Sequence, residues 1–434
     1  MRKSICIVFA LLLGMNGCRG GEVNPPAEEP EVSYANTHVV YECNERLFAN
    51  QQAFRVIEQY VPALKETGVD VLWLMPIHPR GTVKSVGSPY CVQDYYAVDP
   101  AFGTMDDLRS LVRTCHSLGM RVLLDWVANH TAWDNAWYTS HPEWYTTPTA
   151  EETGWKDVCP LDYTQPAVCQ AMQEALCYWV READVDGFRC DYAHGVPQAF
   201  WQEAIASVRA IKPDAIFFAE TSKAAYYDAG FDWLYSWDYL GAVQSLYEKS
   251  LPVSQLLSVN EKEWKQTPAG KDRMRNPTSH DASAEHAPSS FYHSAKGELS
   301  ASCLTYFLGG IPMIYSSQEI GHTAQLDFFN YHILDFTANT TTAAYRRLMH
   351  AYQQTAEARA GTLTDYSTDH VACFERRQGE KAMLVVVNTT SQPQTITLPM
   401  RWQRSAVTDA QTDERITTPK ALELVGFAYR VYTN

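Results

Sequence analysis

Three features of the chain predict an α/β protein. The expected form is a (β/α)8 barrel with a short loop excursion after strand three and a small C-terminal antiparallel β-sandwich domain. First, short apolar runs alternate with amphipathic helical patterns between residues 36 and about 360, the order of a parallel sheet with helical crossovers. Second, about eight such runs can be counted, the number at which βα units close into a barrel. Third, from residue 361 to 434 the pattern changes to short β-type runs joined by turns. An open doubly wound sheet is the alternative, but no G-x-G-x-x-G follows the first run.

The elements follow in order. HVVYEC (38–43) is the first strand, and a helix lies within 51–67, where Pro62 kinks or splits it. VDVLWLMPI (69–77) is continuously apolar, as befits a strand buried on both faces. In 104–119, Leu108, Leu111, Val112 and Cys115 fall at helical spacing. Thr104 with Asp107 forms its N-terminal cap, and Gly119 its stop. RVLLDWVANH (121–130) is the third strand. Residues 131–165 then break the alternation with Trp, Pro and Thr, and are read as the excursion. A helix at 171–184 presents Met172, Ala175, Leu176, Trp179 and Val180 on one face. VDGFRCDYA, a helix near 198–211, AIFFAE (215–220), FDWLYSWD (231–238), MRNPTSHD (274–281) and IPMIYSSQEI (311–320) complete the barrel. VACFERR, KAMLVVVNTT, QTITLP, AVTDA and FAYRVYTN supply the C-terminal sheet.

Composition narrows the function classes. With 434 residues, 46% of them hydrophobic, the chain can bury a large core. Its net charge of −15 repels phosphate backbones and argues against nucleic acid as a partner. The 12 Trp and 25 Tyr are read as core filling or as stacking platforms for flat ligands such as sugars. Two of the 11 cysteines lie in the leader, and the other nine are scattered without a CxxC pair, so zinc is not indicated. Most are expected to be buried thiols; one or two bridges are compatible with the count.

Chemistry is expected where barrel strands end. Asp125, Asp191, Glu220 and Asp281 close four predicted strands. Each alone reads equally as a cap or half of an ion pair, but together they point to one pocket. Crowded carboxylates shift one another's pKa values and retain a proton, as acid catalysis with nucleophilic attack at an acetal carbon requires. Arg189 and Asp191 are two apart and share a strand face, so the guanidinium is expected to keep Asp191 ionised. Glu220 follows an apolar strand whose low dielectric favours its protonated form.

These residues carry a family resemblance. DWVANH (125–130), GFRCDYAH (187–194), FFAE (217–220) and PTSHD (277–281) resemble, in order, the four signatures of the α-amylase family of glycoside hydrolases, family 13. LWLMPI (72–77), YCVQDYYAVDPAFGT (90–104) and IYSSQEIG (314–321) also fit, so the resemblance spans residues 38–434. It implies a retaining hydrolase of α-1,4-glucosidic bonds in starch, glycogen or maltooligosaccharides. Asp191 would be the nucleophile, Glu220 the general acid/base and Asp281 the transition-state stabiliser. Arg189, His130 and His280 would bind the sugar at the cleaved bond, Tyr90 would stack on it, Asp125 would support the site, and His194 would face the acceptor. No cofactor is required. The resemblance allows a calcium ion on Asn129, with Asp157 and Asp162 as oxygen ligands; local hydrogen bonding by Asn129 is the other reading. Trp133, Trp137, Trp144 and Trp155 are outer sugar platforms or packing under the excursion. A glucan transferase or isomerase of the same family and a non-catalytic glycan-binding lipoprotein are the alternatives.

The N-terminus is a targeting segment. Arg2 and Lys3 precede an apolar run from Ile5 to Met15, too short to span a bilayer, and Gly17 directly precedes Cys18. Residues 1–18 are read as a lipoprotein signal peptide with Cys18 as the lipidated residue, and 19–35 as a flexible linker. The expected location is the cell envelope, with a membrane met only through the lipid. Cys18→Ser is expected to move the protein into soluble fractions; continued membrane association of that variant would contradict the lipid anchor.

Overall fold

The computed structural model describes residues 38–146 and 155–434. The leader, the linker and the lipidation expected at Cys18 lie outside the described residues. Among the described residues ten short strands precede residue 320: β1 (Val40–Cys43), β2 (Val71–Leu74), β3 (Arg121–Trp126), β4 (His130–Ala132), β5 (Val158–Pro160), β6 (Gly187–Cys190), β7 (Ile216–Ala219), β8 (Trp233–Leu234), β9 (Asp272–Arg275) and β10 (Ile311–Tyr315). Eight close into a barrel in the order β1-β10-β9-β8-β7-β6-β3-β2, all parallel. The remaining two, β4 and β5, form the antiparallel pair that anchors the excursion.

Side chains alternate in and out of a strand, and this period arranges the barrel interior. Val40, Val71, Trp73, Leu123, Ile216, Phe218, Trp233, Met274, Ile311 and Met313 form an apolar cluster inside the ring. One further step of two along the same strands reaches Glu42, Asp125 and Glu220, while Arg189 stands opposite Asp125 in register. The interior is thus apolar below and charged at the mouth. Gly187, two before Arg189, falls on the same inner face. Its φ is +143°, and a Cβ there would stand 1.9 Å from the Ile216 carbonyl oxygen. Only glycine lets β6 approach β7 at that point.

Outer residues of the strands pack on the helices. The helix Ala53–Glu66 runs on through Pro62, so of the two expectations, a kink or a split, the split does not occur. At Met105–Ser117 the cap read from sequence is present in full. Thr104 Oγ1 accepts from Asp107 N at 3.2 Å, and Asp107 Oδ2 accepts from Thr104 N at 2.9 Å. One strand expectation needs correction. β9 stops at Arg275, and His280 and Asp281 open a short helix, His280–Glu285, whose N-cap Ser279 accepts from Ala282 N. Pro277 has no N–H to continue a ladder, and Ser279 is a better cap than strand residue.

The C-terminal strands are β11 (Thr362–Asp365), β12 (Val371–Gln378), β13 (Lys381–Asn388), β14 (Gln394–Thr397), β15 (Ala406–Asp409), β16 (Glu414–Thr417), β17 (Ala421–Leu424) and β18 (Tyr429–Thr433). Six form one antiparallel sheet, β11-β12-β13-β18-β15-β16, and β14 pairs β17 over it. Along β13, Ala382, Leu384 and Val386 face the small sheet, while Met383, Val385 and Val387 join the main core. This sheet is covered on both faces, which explains its unbroken apolar run.

All nine described cysteines are free thiols, eight of them buried. Among the described residues no helix is long and apolar enough to cross a membrane.

Candidate active site

Arg189 is the centre of the barrel mouth. It is fully buried, with Trp73, Tyr235 and Tyr90 around it at 5.1, 5.6 and 5.7 Å from ring centroid to guanidinium carbon. Nη1 donates to Asp125 Oδ1 at 2.8 Å and to Asp191 Oδ1 at 2.9 Å. Nη2 stands 3.1 Å from Glu220 Oε2. Three carboxylates from three strands therefore meet on one cation. Asp191 and Glu220 lie one residue beyond their strands, yet each backbone N–H still bonds a neighbouring strand, to Trp126 O and Cys190 O at 2.9 Å. The local chain is fixed by strain as well. Tyr192 adopts a left-handed φ of 41° and donates its N–H to Glu220 Oε2 at 2.6 Å. Both contacts to Glu220 fall on Oε2, so the geometry leaves Oε1 to carry a proton.

Burial dominates the electrostatics. It raises Asp191 to about 6 against the pull of Arg189, with Asp125 adding to the rise. Asp125 is raised to about 6 by burial, again opposed by Arg189. Glu220 rises to about 7, through burial first and then repulsion from Asp191 and Asp281, against Arg189. Desolvation outweighs Arg189, so Asp191 titrates above the usual aspartate range while remaining mostly ionised at neutral pH. The separation between Asp191 and Glu220 retains the expected sense: the glutamate keeps its proton longer.

The other residues read from sequence fall around this centre in different ways. Tyr90 donates its hydroxyl to Asp125 Oδ2 at 3.0 Å, and the Tyr90 hydroxyl oxygen is 2.8 Å from His280 Nε2. His280 Nε2 is 3.3 Å from Asp281 Oδ1, which brings Asp281 to the mouth from its helix. Asp281 and Glu220 line one pocket of about 400 Å³ with Trp237, Gln244, Glu285 and His286. His194 stacks obliquely on Tyr192 at 4.3 Å and bonds the Glu220 backbone beside Lys223. His130 is buried and neutral, lowered by burial to about 4. Its Nε2 is 3.1 Å from the Tyr90 carbonyl oxygen and its Nδ1 3.2 Å from Asn129 Nδ2. Nε2 of His130 therefore holds the Tyr90 loop, while Nδ1 is engaged by the neighbouring Asn129.

Two groups of candidates separate further. Asp162 spends its oxygens on Thr164 and Gln165, and Asn129 turns its amide nitrogen to His130. Among the described residues no three His, Cys, Asp or Glu side chains gather to hold a metal. Of the four tryptophans, Trp137 and Trp144 pack on the core and Trp133 donates to Lys156 O. Trp155 stands by the site, 5.0 Å from Tyr192 and 5.6 Å from His130, with 41% of its surface exposed. Sequence reading missed Glu42, Tyr235, Trp237 and Phe328. Phe328 packs edge-on against Tyr90 and His280 at 5.7 and 5.1 Å. Glu42 was signalled by a carboxylate inside an apolar strand; Phe328 lies in an irregular segment with no periodic signal.

Comparisons with known proteins agree with this fold. Residues 54–157 match the α-amylase catalytic domain, and residues 368–431 match the C-terminal immunoglobulin-like domain of D-apionate lactonase. A cyclomaltodextrinase of Thermoanaerobacter pseudethanolicus is 25% identical over 374 residues, covering 77% of this chain and 63% of the relative. The chain thus spans less than two thirds of the length of the curated relatives it matches. A noncanonic maltogenic α-amylase of Thermotoga neapolitana superposes with a TM-score of 0.80 at 28% identity, covering 92% of this chain and 98% of that one. An α-amylase of Lactobacillus plantarum superposes with a TM-score of 0.81 at 26% identity, covering 92% and 99%.

Arg189 is the shared counter-charge, so its removal has a signed pH effect. In Arg189→Met the buried carboxylates bind protons more tightly in the folded state than in the unfolded state, and stability then falls as pH rises through their folded pKa values. The variant is expected to lose about 3–5 kcal/mol at pH 8 and clearly less at pH 5, by urea unfolding. An equal loss at both pH values would contradict the shared-cation arrangement.

Proposed function

We propose that the chain, similar in sequence and fold to the α-amylase family of glycoside hydrolases, is a retaining hydrolase of that family acting on α-1,4-glucosidic bonds in starch, glycogen or maltooligosaccharides. One observation carries the reading: Asp191 and Glu220 grip adjacent nitrogens of one guanidinium. Such close carboxyls suit the roughly 5–5.5 Å spacing of a retaining pair rather than the roughly 6.5–9.5 Å of an inverting one.

In this proposal the roles follow from environment. Asp191, ionised and with Oδ1 fixed by Arg189, attacks the anomeric carbon through Oδ2 and forms the glycosyl-enzyme bond. Glu220, raised to about 7, protonates the departing glycosidic oxygen. Now ionised, it takes a proton from the water that cleaves the intermediate. Asp281 and His280 grip hydroxyls of the sugar whose bond is broken, and Tyr90 offers a ring face to it. Asp125 supports the site by orienting Tyr90 and Arg189. His194, next to Glu220, lies toward the acceptor. None of these steps calls for a cofactor. A glucan is also the expected partner of an acidic surface, because a neutral polymer is not repelled.

The proposal makes both acids indispensable to turnover. Asp191→Asn and Glu220→Gln are each expected to cut release of reducing sugar from soluble starch by about 10³-fold or more, since residues acting as a unit fail together. Wild-type rates in both variants would overturn the assignment.

A further inference from the structure

Glu42 is a group the proposed chemistry leaves unused. It lies on the inner face of β1, fully buried. Its Oε1 pairs with His280 Nδ1 and lies 3.4 Å from the His280 backbone N, while its Oε2 is buried without a hydrogen-bond partner among the described residues. Proton counting around Tyr90 explains why a charge is present there. The Tyr90 hydroxyl has a single hydrogen, which goes to Asp125 Oδ2. Asp125 Oδ1 in turn accepts from Arg189. The Tyr90 oxygen must then accept from His280, so Nε2 bears a hydrogen. Nδ1 faces a carboxylate, and a second hydrogen there makes the ring a cation whose charge Glu42 answers.

We propose that Glu42 is a positioning residue: it pins the His280 ring through Nδ1 and keeps both nitrogens protonated, making Nε2–H a standing donor toward Tyr90, Asp281 and an incoming sugar hydroxyl. The sugar in this statement rests on the hydrolase reading above; the protonation state does not. The charged and titratable groups facing this ring are Glu42 on β1, Tyr90 after β2, Asp125 on β3, Arg189 on β6 and Asp281 beside it, and Tyr235 after β8 and Tyr315 on β10 in turn lie near Glu42 and Asp281. Burial and Arg189 oppose a charged ring, but Asp281 and Glu42 outweigh them and lift His280 to about 9. Tyr90, Tyr235 and Tyr315 are all raised by burial and stay neutral across the working range.

The test is NMR of the free protein labelled with 15N-histidine, with His280 assigned by its loss in His280→Asn. At pH 7.5 both nitrogens of His280 are expected to be protonated. In Glu42→Gln the titration midpoint should fall by more than about one pH unit, while Glu42→Asp, which keeps the charge, should restore the two-proton state. On starch, Glu42→Gln should lower kcat about tenfold or more, with rescue by Glu42→Asp. A neutral His280 in the wild type at pH 7.5, an unmoved midpoint in Glu42→Gln, or an unchanged kcat in that variant would each overturn the proposal. If Glu42→Gln fails to fold, the wild-type and Glu42→Asp spectra still decide. Absence of starch turnover in the wild type would sink the hydrolase reading while leaving the spectra to judge Glu42.

Discussion

The arrangement depends on one buried cation. Placing Asp125, Asp191 and Glu220 together in a low dielectric is unfavourable unless something offsets their repulsion and desolvation. Arg189 does so with two terminal nitrogens, and it is fixed by three aromatic faces and the strand that carries it. A lysine could not serve, because a single ammonium lacks the planar fork that reaches three carboxylates at once. The compensation is deliberately incomplete. Three negative groups share one positive one, so a proton is retained nearby, and Glu220, raised by burial and by Asp191 and Asp281, holds it longest.

The barrel supplies this cation with its address. A strand period of two sends alternate residues inward, and the inward series is apolar until its last step. At that step the series turns ionic on four strands: Glu42, Asp125, Arg189 and Glu220. The apolar layers beneath exclude water and keep the dielectric low, so the same packing that stabilises the fold also sets the acidities. Gly187 shows how closely the two are joined, since the absence of a Cβ there is what allows the strand bearing Arg189 to lie against β7. Around this layer runs a hydrogen-bonded path from Glu42 through His280, Tyr90 and Asp125 to Arg189. The groups that bind and the groups that react thereby share one network.

Much of this was legible in the chain because it is written in short-range patterns. Eight apolar runs, the Thr104–Asp107 cap and the change of pattern after residue 361 all reflect local periodicity and turn chemistry, and each has its counterpart in the structure. The convergence of Asp125, Arg189, Asp191 and Glu220 followed from strand ends alone. Other features depend on tertiary surroundings. The helix at His280–Glu285 replaced an expected strand end, because Pro277 and Ser279 act over three residues that looked continuous with an apolar run. The balance between burial and Arg189 at Asp191 is set by neighbours distant in sequence, and so is the engagement of His130 with Tyr90. Phe328 comes from a stretch without periodicity, and only the fold brings it to His280.

The claim that the pocket performs retaining chemistry through Asp191 has a direct test. The Glu220→Gln variant, given a maltosyl fluoride whose leaving group needs no protonation, should accumulate a glycosyl-enzyme. After digestion, mass spectrometry is expected to find one maltosyl mass on the peptide that contains Asp191 and on that residue. A modified residue other than Asp191, or turnover of the fluoride with inversion at the anomeric carbon, would contradict the account.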